Sequence, residues 1–62
     1  SGKVFKHKRH TDAFCIDEGG EKKVYRLIQG LFRKVDDCEP IEHYREASRE
    51  EKSLFERLRN HN

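Results

Sequence analysis

The chain has 62 residues, of which 14 are Lys or Arg and 12 are Asp or Glu, and its net charge is +2. Apolar residues make up 32% of the sequence, well below the roughly 45–50% of an ordinary globular chain. A chain of this size forms one small domain with a thin core, which excludes a multidomain enzyme, a deep substrate cavity and a large cofactor pocket. We therefore predict a single domain over 1–62, with frayed ends at 1–3 and 60–62.

The sequence has no run of about 18 apolar residues, which a membrane-spanning helix requires. The N-terminal segment is charged and lacks the apolar region of a signal peptide. We accordingly expect an intracellular protein, cytoplasmic or nuclear, with no membrane among its partners.

The first predicted elements are strands in the N-terminal half. An apolar run at 13–16 and a run rich in β-branched and aromatic residues at 23–28 are separated by a segment that contains Gly19 and Gly20. Paired glycines accept the positive φ angles of the tight turns that join antiparallel strands, so this pattern predicts a β-hairpin. Gly30 precedes a further apolar run and extends the hairpin to a meander.

The segment 22–36 also fits a helix, because five apolar residues have helical spacing. These residues are Val24, Leu27, Ile28, Leu31 and Val35. Gly30 inside such a helix would cost about 1 kcal/mol relative to Ala, and the β-branched and aromatic content favours strands. We prefer the strand interpretation and keep the helix as its alternative.

The clearest predicted element is a helix over about 49–59. Ser48 and Glu51 have the spacing of a capping box, in which each side chain accepts a hydrogen bond from the backbone amide of the other residue. The residues that follow, including Phe55 and Leu58, place apolar side chains on one face of this helix.

A second, shorter helix is predicted just before it, over about 40–47. Pro40 suits the first position of a helix, and Ile41, Tyr44 and Ala47 follow at a spacing of three. The predicted fold is therefore α+β: a small antiparallel β-sheet, in the form of a hairpin or meander, followed by two C-terminal helices.

The two cysteines leave three alternatives open. Cys15 and Cys38 could be reduced and packed as small apolar residues, or they could form a disulfide. They could also bind zinc together with His43 and either His10 or His7, because the His10–Cys15 and Cys38–His43 pairs have mirrored spacing and a Cys2His2 set suits zinc. The turn-based spacing of a usual zinc site is missing, so reduced cysteines are the preferred interpretation and no metal or cofactor is expected.

Catalytic signals are weak. The adjacent carboxylates at Asp17-Glu18 and Asp36-Asp37 would point to opposite sides of a strand, which is unsuitable for joint acid–base catalysis. A cysteine–histidine nucleophile pair lacks a local signature and a volume that excludes water. We expect no enzymatic activity.

Cations are concentrated in two blocks, 3–9 and 22–34, and Phe5 and Tyr25 lie among them. If these blocks formed neighbouring strands, they would present a basic face of the kind that binds single-stranded nucleic acid. Paired strands of opposite charge could instead simply neutralise one another. The predicted nucleic-acid-binding residues are Lys6, Lys8, Arg9, Lys22, Lys23, Arg26, Arg33 and Lys34.

The sequence therefore predicts a small non-catalytic binding or regulatory protein that contacts nucleic acid through a basic face. The alternative is a protein–protein interaction module, because a thin core leaves apolar helical residues for a dimer or a partner to cover. Its predicted contact residues are Tyr44, Phe55 and Leu58. Salt separates the two functions, since phosphate binding weakens steeply as salt rises.

Overall fold

The computed structural model describes residues 2–36 and 39–61. Five strands form one antiparallel sheet: β1 (Lys3–His7), β2 (Ala13–Glu18), β3 (Glu21–Ile28), β4 (Leu31–Val35) and β5 (Tyr44–Glu46). A 3-10 turn at Ile41–His43 precedes β5, and helix α1 spans Arg49–His61. The strand order is β4-β3-β2-β1-β5, so the last strand returns to pair with the first. Within the described residues, no helix is both long and apolar enough to cross a membrane.

Two-residue turns build the meander. Gly19 and Gly20 have φ angles of 61° and 84° between β2 and β3, and Gln29 and Gly30 have φ angles of 52° and 80° between β3 and β4. Positive φ at both central residues matches the right-handed twist of the flanking strands. The segment that also fitted a helix is therefore strand, turn and strand, and the predicted small sheet followed by a helix is confirmed.

The prediction of two C-terminal helices is wrong, because 40–47 is not a helix. Pro40 is extended, with φ −57° and ψ 147°, and only the 3-10 turn follows before the chain enters β5. Tyr44 pairs with His7 of β1, and the amide of Ala47 donates to the carbonyl of Val4 at 3.0 Å. The backbone groups along the edge of β1 are satisfied by this pairing, which a local helical pattern does not reveal.

The two faces of the sheet carry separate apolar clusters. Helix α1 covers the first face, and Phe55 is its fully buried anchor. The strand residues buried on this helix-covered face are Val4, Phe14, Ile16 and Phe32. The opposite face, which we call the second face, packs Cys15, Val24 and Tyr44 against Phe5 and Val35.

The predicted capping box begins α1. The amide of Glu51 donates to the Ser48 hydroxyl at 3.2 Å, and the amide of Ser48 donates to the Glu51 carboxylate at 2.9 Å. Arg45 of β5 adds two hydrogen bonds of 2.8 Å to the same carboxylate. Together these bonds join the start of the helix to the edge of the sheet and hold the pKa of Glu51 at about 2.

Replacing Ser48 with Ala is expected to destabilise the domain by about 1 kcal/mol, because an N-terminal helix amide loses its side-chain acceptor. Urea unfolding followed by circular dichroism measures this change. Ser53→Ala, at an exposed position in the middle of the helix, is the matched control and should change stability by less than about 0.5 kcal/mol. Equal effects of the two substitutions would contradict the capping role.

Candidate functional site

A cluster of hydrogen-bonded polar residues lies at one end of the sheet, where β1 ends and β2 begins. The register brings the end of β3 and the start of β4 to this same end, since Ala13 pairs with Arg26 and Arg26 pairs with Arg33. A cavity of about 300 Å³ opens here. Its lining residues are His7, Lys8, Arg9, His10, Glu39, Glu42 and His43.

His7 lines this cavity and is only 4% exposed. Its Nδ1 accepts hydrogen bonds from the backbone amides of Arg9 and His10, at 3.0 and 3.1 Å. An imidazole nitrogen that accepts two amides carries no proton, so the neutral ring holds its proton on Nε2. That Nε2–H donates to the Glu39 carboxylate at 3.0 Å.

Glu39 joins two histidines through one oxygen. Its Oε1 lies 3.0 Å from His7 Nε2 and 2.7 Å from His43 Nδ1. The hydrogen bond with His7, followed by that with His43, lowers the pKa of Glu39 to about 2. The carboxylate therefore links the segment that precedes β5 to the end of β1. The Lys8 amide adds a second link there, because it donates to the His43 carbonyl at 2.8 Å.

The ligand atoms of His7, Glu39 and His43 lie within 4.8 Å of one another, close enough to hold a metal ion together. A metal on His7 Nε2 would need that nitrogen to be free of its proton, which would move to Nδ1. Nδ1 already faces two backbone N–H donors. In the metal-bound tautomer, the Nδ1–H group would therefore face two other N–H groups with no acceptor between them. The three side chains therefore suit a hydrogen-bonded link between two segments of the chain better than a metal centre.

Acid should weaken the fold as these carboxylates are protonated. Glu39 and Glu51 both have a folded pKa of about 2, against about 4.3 for an unperturbed glutamate. Their contribution to stability is therefore present above pH about 4.3 and is lost as pH falls towards 2. Urea midpoints measured between pH 6 and pH 2 are expected to decline across this window.

The double variant Glu39→Gln/Glu51→Gln is expected to be less stable at pH 6 and to show a shallower decline in acid. Glu56→Gln, which changes an exposed helix residue, is the control and should retain the pH dependence of the unmodified protein. A double variant with the full acid dependence would contradict the assignment.

Two of the predicted nucleic-acid-binding cations form interactions within the domain. Lys6 is 7% exposed, and its ammonium donates to the His10 carbonyl at 2.7 Å and lies 5.3 Å from the Phe14 ring centre. Burial lowers the pKa of this amine. Lys23 forms an ion pair with Glu18 at 3.4 Å on the helix-covered face. Neither amine is placed to meet a large ligand at the sheet end.

The two cationic blocks do not form neighbouring strands, because β2 lies between β1 and β3. The alternation of side chains along each strand divides the remaining predicted strand cations between the two faces. The register places Lys34 on the helix-covered face opposite Tyr25, and Lys22 on the second face opposite Asp17. The four that lie towards this end of the sheet are Lys8 and Arg9, after β1, and Arg26 and Arg33, on β3 and β4. We call these four residues the cationic end.

Within the cationic end, Arg26 and Arg33 are direct cross-strand partners on the second face. Asp12 approaches Arg26 at 3.8 Å. The buried Nε of Arg26 has no hydrogen-bond partner in the part of the chain that is described. Like charges placed directly opposite each other on a sheet are destabilising. Asp12 offsets part of the charge of Arg26, whereas Arg33 forms no ion pair within the described residues.

Beyond the arginine pair, exposed apolar strand residues flank the turn between β3 and β4. Ile28 and Leu31 are cross-strand partners next to the turn, and their exposures are 42% and 46%. Leu27, on the helix-covered face, is 37% exposed. We call Ile28 and Leu31 the tip pair.

The predicted partner-binding residues contribute to the two cores. Phe55 is fully buried, Tyr44 is 6% exposed, and Leu58 is half-buried against the cluster under α1. Cys15 is 3% exposed within the second-face cluster. Cys38 lies outside the described residues, and so do the disulfide and the zinc site that would include it.

Comparisons of the chain with protein-family models, with curated proteins and with solved structures found no match. The functional assignment therefore rests on the geometry of the sheet end.

Proposed function

We propose that this chain is a non-catalytic binding domain that holds nucleic acid by its phosphate backbone at the cationic end. The observation that carries the proposal is the facing pair Arg26 and Arg33. A phosphate between two guanidinium groups would relieve their mutual repulsion and accept hydrogen bonds from both. Asp12 already offsets part of this repulsion at Arg26, and a phosphate would supply an anion for Arg33 as well.

Lys8 and Arg9 extend the proposed contact around the sheet end. Both are exposed in the turn after β1, and neither forms an ion pair with any residue in 2–36 or 39–61. Exposed cations of this kind neutralise phosphates without reading sequence. Two carboxylates line the same cavity: that of Glu39 is hydrogen-bonded to two histidines. That of Glu42 is exposed, so the proposed phosphate contact lies on the side of Lys8 and Arg9 that faces away from it.

Base stacking on the two aromatic residues in the cationic segments contributes little to this proposal. Phe5 packs against the second-face cluster, and Tyr25 packs against Phe32 and Phe55. Recognition through these rings, which the sequence suggested, would require them to leave the core. The proposed contact is with the backbone, so little dependence on base sequence is expected from it.

A protein partner is the second candidate, and the three exposed aliphatic residues of the β3–β4 turn favour it. Exposed apolar patches often mark protein-interaction surfaces. Association through Leu27, Ile28 and Leu31 would persist at high salt, whereas phosphate binding would not.

Fluorescence anisotropy with a labelled duplex, measured across a salt series, tests the proposal. Four phosphate contacts predict a slope of log K against log salt of about −3 to −4. Lys8→Glu should weaken binding and reduce the slope by at least about one. Arg57→Glu, on the exposed side of α1, is the matched control and should leave the slope unchanged. Absence of binding at low salt, or binding that is insensitive to salt, would overturn the proposal.

A further inference from the structure

The tip pair flanks the two-residue turn between β3 and β4. Ile28 and Leu31 face each other across a two-residue turn whose Gln29 and Gly30 both have positive φ. Such turns hold the two strands in fixed register. Two aliphatic side chains are thereby held side by side at the outermost point of the meander, with almost half of each exposed.

Positive charge lies directly behind these side chains. Successive residues of a strand point to opposite faces, so Arg26 is the next residue on the same face as Ile28, and Arg33 is the next on the same face as Leu31. The second face therefore presents two rows in succession: the aliphatic tip pair and then the arginine pair. Lys34, on the other face of β4, adds a cation there.

A ligand that complements this arrangement has an apolar interior bordered by rows of negative charge. Duplex DNA has this chemistry, because its stacked bases lie between two phosphate backbones. Proteins that bind the minor groove insert Leu or Ile side chains between base pairs while Arg and Lys contact the flanking phosphates. Two adjacent side chains suit the gap opened at one base step.

We infer that the tip pair is a wedge which enters the minor groove of duplex DNA, unstacks one base step and bends the helix. The inference rests on the proposed nucleic-acid function and adds the form of the ligand and the residues that deform it. Unstacking is easiest at pyrimidine–purine steps, so duplexes with a central TA step should bind more tightly than those with a stiff A-tract.

A second copy of this chain is a poorer occupant of the tip. Pairing two tips side by side would bring the arginine pairs of both copies together, and like charges at such a contact oppose association. An anionic lipid surface also combines an apolar interior with negative charge. The vesicle-binding measurement below distinguishes it from DNA.

The experiment measures energy transfer between dyes at the two ends of a duplex of about 20 base pairs with a central TA step. Binding of the unmodified protein is expected to shorten the end-to-end distance, with a bend in the range of about 20–90°. The variant Ile28→Thr/Leu31→Thr removes the apolar wedge while retaining residues suited to strands. It should bind with the same salt slope, about tenfold more weakly and without bending the duplex.

Leu54→Gln is the matched control, because Leu54 is an aliphatic residue of 41% exposure on α1. This variant should bind and bend DNA as the unmodified protein does. Amide spectra of all variants establish that each is folded before binding is compared.

The outcomes separate the wedge from the function on which it rests. Failure of the unmodified protein to bind duplex at low salt would overturn both. Salt-dependent binding without a bend, equal for the unmodified protein and the tip variant, would overturn the wedge alone. The tip variant could instead lose self-association in sedimentation, or lose binding to vesicles containing phosphatidylserine, while it still bends DNA. That result would assign the tip pair to another partner and overturn the wedge.

Discussion

Phe55→Ala is expected to abolish cooperative folding of the domain at room temperature. Phe55 is fully buried, and its ring centre lies 5.4–5.6 Å from those of Phe14, Tyr25 and Phe32. Truncation of a buried Phe costs about 3–5 kcal/mol, and a domain of this size has little stability in reserve. The anchor that joins α1 to the sheet would be lost with it.

Thermal unfolding by calorimetry and the dispersion of amide resonances measure this effect. Leu54→Ala truncates the neighbouring residue, which is 41% exposed, and should reduce stability far less than Phe55→Ala. A Phe55→Ala variant that retained a sharp transition close to that of the unmodified protein would contradict the packing of α1 on the sheet.

The second large effect is expected for Arg26→Gln/Arg33→Gln. Removing two phosphate contacts should lower duplex affinity by about 100-fold at low salt and make the salt slope shallower by about two. Because Arg26 and Arg33 face each other, the single variant Arg33→Gln also removes a like-charge pair from the sheet. Its stability should equal or exceed that of the unmodified protein.

This opposition between affinity and stability is the signature of a binding residue. Urea unfolding and anisotropy titrations on the same preparations measure both quantities. Arg49→Gln/Arg57→Gln, at exposed positions on α1, is the charge-matched control. Loss of stability in Arg33→Gln without loss of affinity in the double variant would show that the arginine pair serves the fold.

Local signals in the sequence were sufficient for the turns and for the start of α1. Gly19-Gly20 and the Ser48–Glu51 spacing act through backbone conformation and hydrogen bonds within a few residues. The segment 22–36 required a choice between two periodicities, and its turn conformations at Gln29 and Gly30 agree with the strand interpretation.

Long-range pairing explains the incorrect second helix. Ile41, Tyr44 and Ala47 have a spacing that also fits a short helix, but the strand is selected by the backbone groups of β1, which lie almost forty residues earlier. Local propensity carries no information about such a partner. Tyr44 consequently enters the second-face core and Ile41 remains 44% exposed.

The site was harder to predict than the fold because its groups depend on strand order. Lys6 and Arg26 belong to cationic segments that looked equivalent in sequence, yet one amine is buried and the other cation faces Arg33. His7 meets Glu39 from 32 positions away. The tip pair was missed because aliphatic residues beside a glycine turn have the same pattern whether the turn is covered or exposed.

The most direct test of the central claim is an amide-resolved NMR titration of the labelled protein with duplex DNA at low and at physiological salt. We predict shifts in the turn after β1 and in 26–33, and these should fade as salt rises. Shifts confined to α1, or an unchanged spectrum at low salt, would contradict nucleic-acid binding at the cationic end.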